Sequence, residues 1–206
     1  MTHLPASAAV ELAAAMAVTG RRQVLGIAGA PGSGKSTLAA AVVDAVGAAA
    51  VLVPMDGFHL SQSALARLGR ADRKGAPDTF DAAGYVALLS RARVPGSGTV
   101  WAPEFDRHLE EAVAGSVAVE PSATLVVTEG NYLLLDDGDW AGVRPLLDAC
   151  WFLTTDDAAR EQQLVDRHVD HGRTPDAASD WVRTVDGPNA RLVAATAGRA
   201  DLVLTR

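Results

Sequence analysis

Residues Gly29-Ala30-Pro31-Gly32-Ser33-Gly34-Lys35-Ser36 satisfy the pattern G-x-x-x-x-G-K-[ST]. They stand between the apolar run Gln23-Val24-Leu25-Gly26-Ile27-Ala28 and a helical pattern from Lys35 to about Val46. With 19 Gly and 2 Lys in 206 residues, chance supplies roughly 0.002 such matches, so the pattern marks a strand, a phosphate-wrapping turn and a helix in that order. Glycines let the turn curl with its N–H groups inward, and the helix presents its positive end to the same anion. The segment Gly29 to Thr37 therefore reads as a triphosphate cradle. Lys35 would bridge the β- and γ-phosphates, Ser36 would ligate Mg²⁺ and Thr37 would reach the α-phosphate. Lysine occurs only at 35 and 74 in a chain with 16 arginines, so its presence in the cradle points to chemistry.

The rest of the chain repeats the strand and helix alternation. Further strands are read at Val51-Leu52-Val53, Leu125-Val126-Val127-Thr128, Trp151-Phe152-Leu153-Thr154 and Leu202-Val203-Leu204. Helices are read at about 6–19, 35–46 and 82–92. This predicts an α/β fold of three layers with a five-stranded parallel sheet, and the length suits one domain over 1–206. Stretches 56–80 and 93–122, richer in Gly, Pro and charge, read as loops beyond the strands. Hydrophobic residues make up 49% of the chain, which excludes a disordered or low-complexity scaffold. A net charge of −7 without a basic stripe argues against nucleic acid or an anionic membrane as partner. Cys150, alone in an apolar run, excludes an internal disulfide and reads as a buried thiol. The alanine-rich stretch Ala6 to Val18 is interrupted by Glu11 and too short to span a bilayer, which suits a cytoplasmic protein.

Two acids follow predicted strands: Asp56 after Val51 to Met55, and Glu129 after Leu125 to Thr128. Both should emerge where the cradle opens, able to hold Mg²⁺ or to accept the proton of an attacking hydroxyl. Each could instead cap a helix or a turn. Ala158 to Gly172 reads as a helix with Arg160 and Arg167 two turns apart on one face and Arg173 just beyond it. Such arginines either close over a transferring phosphoryl group as a lid, about 158–175, or form a solvated face.

The ordered set Gly29 to Thr37, Pro54-Met55-Asp56-Gly57-Phe58-His59, Gly75-Ala76-Pro77-Asp78-Thr79-Phe80-Asp81 and Thr128-Glu129-Gly130-Asn131-Tyr132 resembles the uridine kinase, phosphoribulokinase and bacterial pantothenate kinase group over about 22–206. The resemblance implies a P-loop kinase fold using ATP and Mg²⁺ with a small hydroxyl compound as acceptor. It matches Asp56 to the acid that activates the acceptor and Glu129 to the acid of the Mg²⁺ site, with Ser36 and Asp56 as further metal candidates. Lys35, Asp56, Arg167 and Arg173 are then the catalytic candidates, Arg167 also touching nucleotide and Asn189 approaching the adenine. Asp78, Phe80, Arg107, Asn131 and Tyr132 become acceptor contacts, joined by His59, which with His108 also reads as a surface or turn residue. Asp81 reads as a helix cap, and Lys74 as a charge beside the acceptor. Glu129-Gly130-Asn131-Tyr132 and Gly187-Pro188-Asn189-Ala190 are similar to a compact nucleoside or sugar kinase branch, and the resemblance allows a homodimer. A regulatory GTPase needs an Asn-Lys-x-Asp segment, which the two lysine positions exclude. Another kind of ATPase, or an idle nucleotide-binding module, stands as the alternative.

Overall fold

The computed structural model describes residues 2–94, 96 and 98–206. Its strands are β1 (Thr2–Pro5), β2 (Gln23–Ala28), β3 (Ala50–Pro54), β4 (Val100–Asp106), β5 (Glu111–Val119), β6 (Leu125–Gly130), β7 (Ala149–Thr154) and β8 (Leu202–Thr205). Its α-helices are α1 (Ala9–Ala17), α2 (Lys35–Val46), α3 (Gln62–Leu68), α4 (Ala82–Arg93), α5 (Asp157–Asp170), α6 (Pro175–Trp181) and α7 (Gly187–Ala194). Six strands pair in parallel in the order β1-β8-β7-β2-β6-β3. Every residue of β2 and β6 is buried, as a strand covered on both faces requires, and both read as near-continuous apolar runs for that reason.

Each face of the sheet carries its own core. On one, Ala9 and Ala13 of α1 and Ala39 and Val42 of α2 pack on Leu25, Ile27, Leu125 and Val127. Small side chains there let two helices lie close to the sheet. On the other, Tyr85, Leu88 and Leu89 of α4 pack with Val24, Val126, Phe152 and Trp140. The Tyr85 hydroxyl pairs with Thr128 Oγ1, which donates onward to the Val53 carbonyl, so the polar atoms inside this layer are matched. The helix cap is where it was read: Asp81 Oδ1 accepts from Gly84 N at 2.9 Å. Cys150 is buried, and burial pushes its thiol up to about 12. Among the described residues no helix is long and apolar enough to cross a membrane.

Three expectations are corrected. The stretch read as loop over 56–80 contains α3, Gln62–Leu68, N-capped by Ser61 Oγ accepting from Ala64 N. The main sheet has six strands rather than five, because Thr2–Pro5 adds to the outer edge of β8. A four-residue, mostly exposed edge strand carries neither an apolar run nor an alternation, so nothing in its residues announces it. The stretch read as loop over 93–122 holds the antiparallel hairpin β4–β5, while Pro95 and Ser97 within it lie outside the described residues. A register shift between Ala102 and Glu104, with Pro103 at the bulge, breaks the period-two pattern, and exposed Val113 to Ser116 dilute it further.

Strand register places the site. Ile27, Glu129 and Pro54 stand abreast on three adjacent strands. The glycine-rich turn begins two residues after Ile27 and Asp56 comes two residues after Pro54, so cradle and acid flank Glu129 at one sheet edge.

Candidate active site

A cavity of about 990 Å³ opens at the carboxyl ends of the strands. Its phosphate-side wall is formed by Pro31, Gly32, Gly34, Lys35, Ser36 and Thr37. The turn is backed tightly: a Cβ on Gly29 would lie 2.7 Å from the Leu153 carbonyl oxygen, and one on Gly32 2.8 Å from Leu164 Cγ. Gly32 also has φ +78°, a conformation side-chain-bearing residues rarely adopt. Gly29, Ala30 and Ser33 belong to the turn but do not line the cavity. Ser33 Oγ is the buried side-chain polar atom without a partner among the described residues.

Lys35 is buried, with Nζ donating to the Ala30 carbonyl at 3.0 Å. Burial drives its ammonium below the usual lysine range, and the carboxylates of Glu129 and Asp56 pull the other way. Ser36 Oγ donates to Glu129 Oε1 at 2.9 Å, and burial raises the Glu129 carboxyl above its ordinary value against the attraction of Lys35. A curled backbone, an orphaned serine hydroxyl and a buried lysine fit a polyphosphate. The hydroxyl–carboxylate pair of Ser36 and Glu129 offers hard oxygen ligands of the kind Mg²⁺ takes while keeping several waters.

The acceptor-side wall is assembled from separate segments. Asp56 is the second residue of a short 3₁₀ turn, Met55–Phe58, after β3, and its carboxylate lies 3.6 Å from Arg107 Nη2 on the hairpin tip. Gly57 is required where it stands: a Cβ there would meet the Pro103 carbonyl oxygen at 2.3 Å, so the hairpin backbone rests on this glycine. His59 bridges to Phe80, its ring 4.0 Å from that of Phe80 and 4.9 Å from that of Phe105. Burial lowers the His59 pKa, opposed mainly by the Asp56 charge. Lys74 Nζ sits 4.9 Å over the Phe105 ring and donates to the Glu110 carbonyl at 2.7 Å, tying the hairpin tip to the 62–80 segment.

A third side of the cavity is formed by α5 and the turn beyond it. Arg167 lines the cavity, half-buried, and desolvation lowers its pKa, with Arg107 adding to the effect. Arg173, after Gly172, also lines it, the guanidinium 4.0 Å from the Trp181 ring centre. Arg160 points elsewhere: buried, it donates to the Pro31 carbonyl at 3.3 Å and pairs with Asp157 and Glu161, clamping α5 against the turn. Seven residues of helix separate it from Arg167, and two turns suffice to carry one side chain beneath the cradle and the other in front of it.

Asp56, His59, Phe80, Arg107, Glu129 and Asn131 thus share one cavity with the cradle, Arg167 and Arg173. Tyr132, Asn189 and Asp78 do not line it. Tyr132 is buried against Trp140, its hydroxyl donating to the Gly75 carbonyl, and Asn189 Nδ2 reaches the same oxygen at 3.4 Å. Both therefore hold the Lys74–Gly75 turn from behind. Asp78 faces outward in ion pairs with Arg73 at 2.9 Å and Arg70 at 3.3 Å. Sequence reading did not single out Trp181, His168, Asp186 or Arg206, which also line the cavity. The signals were faint: a tryptophan in a polar stretch, and an arginine directly after the last strand. His168 Nε2 and Asp186 Oδ2 are 2.8 Å apart, the acid ending a π-helical turn, Val182–Asp186.

Comparison with known proteins agrees with this geometry. Residues 24–206 match the model of the phosphoribulokinase / uridine kinase family. A proposed uridine kinase of Schizosaccharomyces pombe is 32% identical over 195 residues, covering 89% of this chain and 83% of that protein. The ATP-dependent kinase-like protein notR' of Aspergillus versicolor is 36% identical over 132 residues, 61% of this chain and 77% of its own. A crystal structure from Silicibacter sp. TM1040, whose name proposes a fructose transport system kinase, superposes with a TM-score of 0.87 at 37% identity over 97% of this chain and 98% of that one.

Proposed function

This chain belongs to the phosphoribulokinase / uridine kinase family of P-loop kinases, phosphotransferases acting on a hydroxyl, and from that premise we propose how its residues divide the work. ATP lies along Gly29 to Thr37, and the acceptor lies between Asp56 and the hairpin. The observation that carries the reading is that Asp56, Lys35 and the Ser36–Glu129 pair open on one cavity. Ser36 and Glu129 would hold Mg²⁺, which when bound neutralises charge on the β- and γ-phosphates.

Lys35 supplies a fixed positive charge in the floor of the cradle. Asp56 orients the acceptor hydroxyl and accepts its proton as the oxygen attacks the γ-phosphorus and the bond to the β-phosphate oxygen breaks. Arg107, 3.6 Å away on the hairpin tip, pairs with that carboxylate and orients it at the cavity wall. Arg167 and Arg173 approach from the lid side, where they stabilise charge on the moving phosphoryl group and exclude water. Most of the acceleration then comes from positioning and fixed charge. The compartment we assign is the cytoplasm, where ATP is available as the donor.

The test is ADP release with Mg·ATP across ribose, fructose, uridine, cytidine, pantothenate and small polyols, beside an acceptor-free control. Acceptor-dependent ADP with one of them supports the assignment. Equal release without any acceptor would replace it with an ATPase.

A further inference from the structure

The Arg160 side chain is 4% exposed, yet its acid partners Asp157 and Glu161 stand 86% and 55% exposed to water. Carboxylates so well hydrated offset little of what it costs to desolvate a guanidinium, and a methionine of similar length would fill the space without that cost. Stability therefore gives no reason for an arginine here. What the guanidinium reaches is the cradle, where its Nη1 donates to the Pro31 carbonyl at 3.3 Å. Beside that bond there is no room for a methyl between Gly32 and α5, since a Cβ would stand 2.8 Å from Leu164 Cγ and 3.1 Å from the Arg160 carbonyl oxygen. Among the described residues the Arg167 guanidinium, by contrast, makes no ion pair or side-chain hydrogen bond, so its aim is set by the helix that carries it.

We propose that Arg160 is a positioning residue for phosphoryl transfer, docking α5 on the cradle at Pro31 so that Arg167, two turns further along, meets the γ-phosphate of the nucleotide held there. This rests on the kinase reading above and names how that site is set. Arg167 lies about 10 Å further along the helix axis, so a tilt of about 10° at an undocked first turn would carry it by about 2 Å. A displacement of that size is enough to lose a contact with a phosphoryl oxygen.

Because the readout is nucleotide binding, no acceptor is needed. Calorimetric titration of the full chain with Mg·ADP and with Mg·AMP-PNP gives the ratio of the ADP to the AMP-PNP dissociation constant, which reads what the γ-phosphate adds. Arg167→Ala should lower that ratio about tenfold, the loss of one charge-assisted contact. Arg160→Met, which keeps the buried stem but not the donors, should lower it about fivefold while the ADP constant stays within about twofold of wild type. Arg160→Lys, which keeps the charge and a donor, should recover part of that loss. When Arg167→Ala is already present, adding Arg160→Met should move the ratio by less than about twofold, since a residue that acts through Arg167 then has nothing to act on. A smaller folded fraction reduces the amount of nucleotide bound in both titrations and does not lower the ratio.

An unchanged ratio in Arg160→Met, an unchanged ratio in Arg167→Ala, or an additive loss in the double variant would each overturn the inference while leaving the kinase reading in place. Lys35→Ala checks the cradle itself. If that variant binds both nucleotides as tightly as wild type, the nucleotide lies elsewhere and the kinase reading falls, the inference with it.

Discussion

The two walls of the cavity are built on opposite plans. On the phosphate side the proposed binding groups are consecutive, Gly29 to Thr37, mostly backbone, with the buried side chains of Lys35 and Ser33 among them. On the acceptor side the proposed groups are side chains brought together from 56–59, 74–80, 105–110 and 131, with the hairpin backbone lying against Gly57. A backbone cradle demands glycines at set spacings and leaves little freedom to vary. A side-chain wall can be rebuilt one residue at a time, which is how one fold comes to serve many acceptors.

The sharpest way to break the comparison is to remove one charge from each wall. Lys35→Ala should lower transfer by on the order of 10³-fold and weaken ATP binding as well. Asp56→Asn should lower transfer by on the order of 10²–10⁴-fold while leaving ATP affinity nearly intact, as judged by nucleotide titration beside coupled ADP release. Near-normal turnover of Asp56→Asn would remove the base assigned here.

Paired glycine substitutions sharpen the same division with smaller effects. In Gly32→Ala the new methyl meets Leu164 and the Arg160 carbonyl at a φ of +78°, so α5 must shift and ATP affinity should fall about 10- to 100-fold. In Gly57→Ala the methyl meets Pro103 at 2.3 Å and displaces the hairpin instead. Its signature should be an acceptor KM raised about tenfold with ATP affinity within about twofold of wild type, a split no general loss of stability produces.

Beyond α5, Trp181→Leu removes the ring beneath Arg173. A partly exposed cation–π pair contributes about 0.5–1 kcal/mol, so KM for ATP should move by only about two- to fivefold, in either direction according to whether the stacked arginine is the binding form. No change at all would mean that Arg173 takes no part in nucleotide binding.

What was legible in the residues follows the same division. The cradle, the two strand-end acids, the Asp81 cap and the alternation of strands and helices all rest on local patterns, and all were readable. The sixth strand was not, because an exposed four-residue edge owes its form to β8. Nor was the hairpin, whose pairing runs through a proline bulge. Tyr132 and Asn189 were legible as polar residues near the site, but the sequence cannot tell a side chain that enters a cavity from one that holds the Gly75 carbonyl behind it. Arg160 and Arg167 share a helix and a spacing, and only packing against Pro31 separates their roles.

Asp78 gives the smallest effect and a clean test of that distinction. Family likeness makes it an acceptor contact, whereas its carboxylate faces outward, 2.9 Å from Arg73 and 3.3 Å from Arg70. If those arginines are its whole business, Asp78→Asn should leave the acceptor KM within about twofold, and stability should fall by under about 1 kcal/mol, the range for exposed ion pairs. The hydrogen bond from Arg73 holds the carboxyl below its ordinary value in the folded protein. Its contribution is therefore complete above the unfolded value of about 3.9 and is lost as pH falls through the lower folded one. Thermal melts of wild type and variant should accordingly differ slightly at pH 7 and converge toward strongly acid pH. A tenfold rise in KM would instead mean that the 71–79 turn swings inward when acceptor binds, so that the acceptor wall is completed by its own substrate.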